Sequence, residues 1–266
     1  MPDKIKILFF GDVVGALGRK AVKDIIPQWQ KKYKPDLIIA NIENLAHGKG
    51  VTPKTLQDIC DAGVQILTGG NHIWAKSDLN EIAEQSEFKI ACPANDSRAP
   101  QKYFYQSIDI NDQKLIIVSL MGRVFIEDEN LSNPFHRIDE LLNKFPNNAN
   151  IIVDMHAEAT SEKRAMGFYL NGKVSAVLGT HTHVPTADAQ ILSKGTAYIT
   201  DVGMVGAYYS VLGIKPAVII DKFLTETHIR HELPETGQIE INAVLLELDN
   251  KTHQTTNIKL LRKIID

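Results

Sequence analysis

The chain has 266 residues, of which 44% are hydrophobic and 23% are charged, proportions typical of a globular protein with a substantial core. Its formal net charge of −3 creates no overall field that would attract nucleic acid or an anionic membrane. The two cysteines, Cys60 and Cys92, are too few for a disulfide framework and favour a reducing, cytoplasmic location. The N-terminal apolar run is too short for a signal peptide, and no run is long enough to span a bilayer.

Short apolar runs rich in Ile, Val and Leu alternate with amphipathic stretches, a pattern that predicts buried strands connected by helices. The predicted strands are Ile5–Phe10, Leu37–Ala40, Gln65–Leu67, Leu115–Leu120, Asn150–Val153 and Val174–Leu178. The predicted helices between the early strands are residues 17–33, 53–62 and 77–87. The chain therefore begins with a βαβαβ pattern, which is typical of α/β proteins.

The C-terminal part of the chain has a different pattern. Residues 238–247 and 253–260 predict an antiparallel strand pair that turns at Asp249 and Asn250. Residues 204–236 are punctuated by Gly and Pro and only weakly periodic, and we interpret them as an excursion over the functional site. Because no repeat, linker or low-complexity segment divides the chain, the sequence predicts one mixed α/β domain over residues 1–266.

Polar side chains that can bind metal ions lie at the ends of five predicted strands. They are Asp12, then Glu43 and Asn44, then Asn71 and His72, then Asp154 and His156, and finally His181 and His183. Ligand-binding groups of open α/β sheets collect just beyond the carboxyl ends of the strands, so we expect these side chains to converge. Carboxylate, amide and imidazole groups suit manganese, iron or zinc, and no thiolate competes with them.

Each of these residues taken alone also has an ordinary structural interpretation. A Gly-Asp pair after a strand is usually a turn, Glu43 could lie in a solvated loop or cap a helix, and a lone histidine is usually a hydrogen-bonded core residue. His181 and His183 carry more weight, because residues two apart at a strand end can serve adjacent metal sites. The joint occurrence of all these residues at successive strand ends predicts a dinuclear metal site.

The remaining histidines lack such a context. We assign surface or core roles to four of them, which are His136, His228, His231 and His253. His47 lies in the glycine-rich loop 46–50 close to Glu43. We therefore expect His47 to approach a substrate without binding a metal ion.

Longer segments around these residues carry a family resemblance. They are Gly11–Gly15, Glu43–Ala46, Gly70–Trp74, Met121–Phe125, His156–Lys163, Gly179–Asp188 and Thr196–Met204. In this order they resemble the calcineurin-like metallophosphoesterases and, within them, the YmdB-like branch of bacterial 2′,3′-cyclic-nucleotide 2′-phosphodiesterases. The resemblance extends over nearly the whole chain and is most specific between residues 156 and 204.

The resemblance implies a four-layer α/β/β/α sandwich of two mixed sheets that binds two divalent or mixed-valence transition-metal ions, iron or manganese before zinc. The ligands it implies are Asp12, Glu43, Asn44 and His183 for one ion and Glu43, Asn71, His156 and His181 for the other. Glu43 would bridge the two ions, and His72 would be the catalytic acid that faces the substrate.

The sequence departs from the family pattern at several positions. The superfamily has a histidine two residues after the first aspartate, where this chain has Val14, and Asn44 is implied to replace that histidine as a ligand. Glu43 likewise replaces the usual bridging aspartate. Ile42 and Ile73 stand where the branch has glycine and threonine. Because neither isoleucine is an implied ligand, these two changes bear on substrate preference and leave metal binding intact.

The function that the resemblance implies is hydrolysis of 2′,3′-cyclic nucleotides to 3′-nucleotides by attack of a metal-bound hydroxide. One alternative is that the same metal site acts on 3′,5′-cyclic nucleotides or other phosphoesters. Another is a catalytically silent, metal-binding regulatory protein, although such a protein should have lost some of the ligands. An amidohydrolase-like enzyme is disfavoured, because its His-x-His motif lies on the first strand and here it lies at 181–183.

The partners expected from the sequence and the resemblance follow from this function. The expected partner is a small cyclic nucleotide, with no membrane and no sequence-specific nucleic acid. The resemblance also implies that the chain forms a homo-oligomer.

Overall fold

The computed structural model describes residues 4–76, 88–227 and 229–266. The helix predicted at 77–87, and His228, lie outside the described residues. The strands, in chain order, are β1 (Lys4–Val13), β2 (Leu37–Asn41), β3 (Ile66–Thr68), β4 (Ile90–Ala91), β5 (Tyr105–Ile110), β6 (Gln113–Met121), β7 (Asn150–His156), β8 (Ala176–Thr180), β9 (Gln190–Ile191), β10 (Ala197–Ile199), β11 (Met204–Ala207), β12 (Ile239–Asp249) and β13 (Thr255–Ile265). The α-helices are α1 (Gly15–Tyr33), α2 (Pro53–Asp61), α3 (Pro134–Leu142), α4 (Thr160–Tyr169) and α5 (Pro216–Thr225), and Gln101–Tyr103 form a short 3₁₀ turn.

The described strands form two mixed sheets. The first has the order β13-β12-β11-β1-β2-β3-β4, and β12 also pairs with β1. The second has the order β5-β6-β7-β8-β10-β9. Strands β1 to β4 run parallel to one another, as do β6, β7, β8 and β10. The carboxyl ends of the parallel strands therefore meet at one edge of each sheet.

Three apolar clusters show how the sheets and helices pack. One cluster joins residues of both sheets, such as Ile7 and Phe9 with Ile117 and Leu178. The second joins the other face of the first sheet to α1 and α2, and the third joins the other face of the second sheet to α3 and α4. Because successive residues of a strand point to opposite faces, Phe10 belongs to the second cluster while its neighbour Phe9 belongs to the first.

Helix α1 illustrates how the sequence places a helix on the first sheet. Its buried residues recur every three or four positions and face the first sheet, as expected for an amphipathic helix. The ring of Trp29 stacks on that of Phe10, with centroids 5.6 Å apart. The helix ends at Lys34, whose backbone is left-handed and whose N–H donates to the Gln30 carbonyl. This packing anchors β1, the strand that carries Asp12.

The expected mixed α/β class with two mixed sheets is confirmed. All six predicted strands and the C-terminal antiparallel pair are present, although β1 and β7 extend further than predicted, so that Asp12 and His156 lie within strands. Of residues 204–236, predicted as an excursion over the site, the first four form β11 in the interior of the first sheet, and Pro216–Thr225 form α5. Within the described ranges, no helix combines the length and apolar character needed to cross a membrane.

The stacked Trp29 provides a test of the helix–sheet packing. Its side chain is 6% exposed, so we expect Trp29→Ala to leave a cavity and lower the free energy of unfolding by about 3–5 kcal/mol. Urea denaturation followed by circular dichroism measures this change. The control is Lys23→Ala on the exposed face of the same helix, which should shift the value by less than about 0.5 kcal/mol. Equal effects of the two substitutions would show that α1 does not depend on this contact.

Candidate metal centre

The seven predicted metal ligands lie together at the carboxyl edges of the two sheets. Asp12 lies near the end of β1, and Glu43, Asn44 and Asn71 follow β2 and β3 in the first sheet. The histidines come from the second sheet, His156 at the end of β7 and His181 and His183 after β8. The site opens into a cleft of about 1250 Å³, whose lining includes Glu43, Asn44, His72, His181 and His183.

One group of ligand atoms is centred on His156. Its Nε2 lies 3.2 Å from Glu43 Oε1, 3.2 Å from Asn71 Oδ1 and 3.0 Å from His181 Nδ1. Ligand atoms that share a metal ion with bonds of about 2.1 Å are separated by roughly 3.0–3.4 Å. These four residues therefore fit a transition-metal ion, and Glu43, His156 and His181 alone place three ligand atoms within 4.8 Å of one another.

A second group of ligand atoms surrounds Asp12. Asp12 Oδ1 lies 3.9 Å from His183 Nε2 and 3.8 Å from His156 Nδ1. Asp12 Oδ1 and Asn44 Oδ1 are buried and have no hydrogen-bond partner among the described residues. Because a buried oxygen without a partner is costly, these two atoms fit a site for a cation. Glu43 precedes Asn44 in the chain, and its Oε1 contacts His156 of the first group.

A hydrogen-bonded relay orients His156. The Thr180 hydroxyl donates to Asp154 Oδ1 at 2.6 Å, and it lies 2.8 Å from His156 Nδ1, from which it can accept. In this arrangement Nδ1 is bonded to Thr180, and Nε2 is the nitrogen that faces Glu43 and could bind a metal ion. A partner on the second ring nitrogen is the usual way in which proteins fix the tautomer of a metal-binding histidine.

The other two histidines are oriented in the same way. His181 Nε2 lies 3.1 Å from Glu158 Oε2, which leaves Nδ1 facing His156. His183 Nδ1 lies 3.1 Å from the Leu212 carbonyl oxygen, which leaves Nε2 facing Asp12. Each predicted histidine ligand thus has an acceptor on one nitrogen and presents the other to the site.

The electrostatics of the site favour a positive charge next to His156. Burial lowers the pKa of His156, but the charge of Glu43 and its hydrogen bond outweigh this effect and raise the pKa to about 9. For Glu43, burial raises the pKa, but the interactions with His156 and His72 lower it to about 2. Burial raises the pKa of Asp12 to about 6. A metal cation would supply the positive charge that these surroundings favour.

His181 and His72 have lowered pKa values. Burial lowers the pKa of His181 to about 3, and the charge of His156 acts in the same direction. Burial also lowers the pKa of His72, with Glu43 opposing and Lys49 adding to the effect. The backbone N–H of His72 donates to Glu43 Oε2 at 2.8 Å, which holds this residue beside the proposed bridge.

Two buried groups beneath the ligands carry roles that the sequence did not reveal. Asp154 accepts from Asn41 Nδ2 at 3.0 Å and from Thr68 Oγ1 at 2.5 Å, in addition to Thr180. Lys163 Nζ forms a fully buried ion pair with Asp201 Oδ2 at 2.7 Å. The sequence predicted Asp154 among the metal-competent side chains after the strand 150–153, whereas the structure buries it within β7, where a carboxylate needs partners.

The buried ion pair shapes the turn that carries two of the histidines. Asp201 accepts hydrogen bonds from the Thr182 N–H at 3.0 Å and from the Gly203 N–H at 2.8 Å. The flanking residues His181 and His183 have φ values of 97° and 64°, a region that side chains rarely adopt. Such strained conformations persist where surrounding contacts enforce them. Asp201 supplies contacts of this kind between the two histidines.

Gly70 provides the space that the site needs. A Cβ atom at this position would overlap the His156 ring and the Glu43 carboxylate. Of the histidines predicted to lie outside the metal set, His47 and His231 line the cleft, whereas His136 and His253 do not.

Comparison with known proteins identifies the family of this chain. The family model for YmdB-like proteins matches residues 8–261. The chain belongs to the YmdB-like family. A 2′,3′-cyclic-nucleotide 2′-phosphodiesterase of Bacillus subtilis is 41% identical to this chain over 256 residues, and the match covers 96% of each of the two chains. The family resemblance expected from the sequence is therefore confirmed.

Two solved structures are also similar to this YmdB-like chain. A hypothetical protein from Thermus thermophilus is 35% identical with a TM-score of 0.90, covering 98% of this chain and 100% of the other. A phosphatase from Mycoplasma pneumoniae is 35% identical with a TM-score of 0.92, covering 100% of this chain and 95% of the other. The expectation that the chain is an enzyme is confirmed by the Bacillus subtilis relative, with which the Mycoplasma pneumoniae phosphatase agrees.

The relay from Asp154 through Thr180 to His156 provides a test of the metal centre. We expect Thr180→Val to remove the acceptor of His156 Nδ1 and to weaken metal binding by about 10- to 100-fold. Competition with a chromophoric chelator for Mn²⁺ measures the affinity, and circular dichroism checks the fold. The exposed Thr256, which lies on β13, provides the control Thr256→Val, and we expect no change from it. An unaltered affinity in the Thr180 variant would contradict the relay.

Proposed function

We propose that the chain is a dinuclear-metal phosphodiesterase that hydrolyses 2′,3′-cyclic nucleotides to 3′-nucleotides. The observation that carries this proposal is the convergence of carboxylate, amide and imidazole donors from both sheets around Glu43, with Asp12 Oδ1 and Asn44 Oδ1 left without partners. The activity named for the Bacillus subtilis relative supports the choice of substrate. The three apolar clusters support the four-layer α/β/β/α sandwich of calcineurin-like metallophosphoesterases.

We assign the ligands in two sets that share Glu43. The residues that would hold the two ions are Asp12, Glu43, Asn44 and His183 in one set and Glu43, Asn71, His156 and His181 in the other. Iron or manganese suits this mixture of oxygen and imidazole donors better than it would suit a soft thiolate site. When bound, two such ions supply Lewis-acid stabilisation of the phosphoryl oxygens and lower the pKa of water.

The chain itself supplies the acid for the leaving group. His72 lines the cleft, and its backbone N–H is fixed on Glu43, so its ring lies beside the reacting phosphate in this proposal. An alkoxide is a poor leaving group without a proton, and imidazole exchanges protons in the required pH range. His72 would donate a proton to O2′ as the bond from phosphorus to O2′ breaks. The product is then the 3′-nucleotide.

The decisive experiment identifies the product formed from 2′,3′-cyclic AMP. We expect the protein loaded with Mn²⁺ to release 3′-AMP, measured by chromatography against standards of 2′-AMP and 3′-AMP. We expect His72→Ala to lower kcat by about 10²- to 10⁴-fold, the usual contribution of a general acid, while metal content stays unchanged. Glu43→Gln should lose both activity and bound metal.

The other outcomes separate the alternatives. Release of 2′-AMP would mean that the substrate binds in the opposite orientation and that the proposed specificity is wrong. Cleavage of 3′,5′-cyclic AMP or of a phosphomonoester, without turnover of the 2′,3′-cyclic nucleotide, would assign the site to another phosphoester. If no substrate reacts while metal is bound, the catalytically silent regulator replaces the proposed enzyme.

Metal removal tests the number of ions. We expect dialysis against a chelator to remove two ions per chain and to abolish activity without unfolding the protein, and Mn²⁺ should restore the activity. Elemental analysis of the protein before and after dialysis measures the stoichiometry. A single ion per fully active chain would refute the dinuclear assignment.

A further inference from the structure

The cleft contains more positive charge than a mononucleotide substrate can use. Three exposed cationic side chains line it in addition to the metal site, and they are Lys49, Lys76 and Arg230. None of the three has a hydrogen-bond or ion-pair partner within the described part of the chain. The protein as a whole has a net charge of −3, so these cations are a local feature of the cleft.

The segments that carry the cations contact one another around His72. If Gly50 carried a Cβ atom, that atom would lie 3.1 Å from the Lys76 backbone nitrogen and 3.3 Å from the His72 carbonyl oxygen. The loop that carries Lys49 therefore packs on the segment that carries Lys76. The backbones next to Lys49 and at Lys76 therefore both lie close to the residue proposed as the acid.

Arg230 reaches the same cleft from the segment 229–235. Leu233 of this segment packs on the loop that carries Lys49. A Cβ atom added to Gly48 of that loop would lie 3.2 Å from Leu233 Cδ1. The Lys215 N–H donates to the Glu232 carbonyl oxygen at 2.8 Å, and Lys215 Nζ pairs with Glu232 Oε2 at 3.0 Å. The segment that bears Arg230 is thereby attached to the start of α5.

The acidic groups of the cleft offset these cations only in part. Glu158 faces His181 and Glu232 faces Lys215. Glu43 belongs to the metal site, and Glu235 is the remaining acidic residue of the lining. Lys49, Lys76 and Arg230 outnumber Glu235 by two, so the cleft keeps an excess of positive charge for an anionic ligand that extends beyond the metals.

A 2′,3′-cyclic mononucleotide has a single phosphate, which the metal site would bind, so it provides no anion for Lys49, Lys76 or Arg230. A cyclic phosphate occupies only the O2′ and O3′ atoms of its ribose and leaves O5′ free to continue a chain. The cleft volume of about 1250 Å³ also exceeds the roughly 300–1,000 Å³ of pockets that enclose a single small ligand. Both the charge and the volume therefore suit a ligand with further nucleotides.

We propose that this site acts on the 2′,3′-cyclic phosphate end of RNA fragments, whose upstream phosphates contact Lys49, Lys76 and Arg230. This inference rests on the proposed function. The reaction that supplies such ends is RNA cleavage by attack of a 2′-hydroxyl on the adjacent phosphorus, which leaves a 2′,3′-cyclic phosphate on one fragment. Hydrolysis then breaks the bond from phosphorus to O2′, forms a bond from phosphorus to the water oxygen, protonates O2′ and leaves a 3′-phosphate end. The contacts are with phosphates alone, so no base sequence is selected.

The test compares 2′,3′-cyclic UMP with a tetrauridylate that ends in a 2′,3′-cyclic phosphate, using the metal-loaded full chain. Each cation that contacts a single-stranded phosphate contributes about 0.7 to the slope of log affinity against log salt. Salt between about 50 and about 200 mM should raise KM for both substrates. Three phosphate contacts predict that the rise is roughly 20-fold larger for the tetranucleotide than for the mononucleotide. We also expect kcat/KM at low salt to be at least about tenfold higher for the tetranucleotide.

The triple variant combines Lys49→Ala, Lys76→Ala and Arg230→Ala. It should remove most of the difference in salt dependence between the tetranucleotide and the mononucleotide. It should also lower the ratio of kcat/KM for the tetranucleotide to kcat/KM for the mononucleotide by about tenfold or more. The control Lys54→Ala replaces an exposed lysine that is not part of the cleft lining. It should leave the salt dependence and the ratio unchanged.

The outcomes separate this inference from the proposed function. Equal kcat/KM and equal salt dependence for both substrates, with 2′,3′-cyclic UMP hydrolysed, would overturn the inference and leave the proposed function standing. A preference for the tetranucleotide that survives in the triple variant would overturn the assignment of the cations. If neither substrate is hydrolysed by metal-loaded protein, the proposed function fails, and the inference fails with it.

Discussion

The candidate metal site depends on the packing of one sheet against the other. Asp12 and Glu43 come from the first sheet and His156 and His181 from the second, so the contact of 3.2 Å between Glu43 Oε1 and His156 Nε2 spans both sheets. The apolar cluster between the sheets sets this separation, because side chains packed at crystal-like density resist sliding. A metal polyhedron tolerates errors of only a few tenths of an ångström. The apolar core is therefore also the part of the fold that positions the chemistry.

Directly beneath the ligands the interface between the sheets becomes polar. Asn41 and Thr68 of the first sheet donate to Asp154 of the second, whose other oxygen accepts from Thr180. A fully buried carboxylate is tolerated only when such donors satisfy it. Because the same carboxylate orients His156 through Thr180, one group both joins the sheets and fixes a ligand tautomer. This double role explains why a charged residue occupies the middle of an otherwise apolar strand.

The cleft divides into two electrostatic regions. Its floor gathers carboxylates, which raise the pKa of His156 to about 9 against the effect of burial and so favour cations. Its walls present Lys49, Lys76 and Arg230, which favour anions. A net charge of −3 for the whole chain reveals neither region, because the opposite charges cancel in the sum. Recognition by this protein depends on where the charges lie, and that placement follows from loops that meet only in the folded chain.

The sequence alone determined the alternation of strands and helices and the residues at the strand ends, because apolar periodicity and strand-end chemistry are local properties. It did not reveal α3, α4 or α5. In α5 only Ile219 is buried, so that little amphipathic pattern marks this helix. Nor did it reveal the partners of the ligands. Asn41 and Asp154 are 113 residues apart, and Lys163 and Asp201 are 38 apart. Only the tertiary structure decides such pairs, because a buried polar group is satisfied by whichever residue the packing of distant elements brings to it.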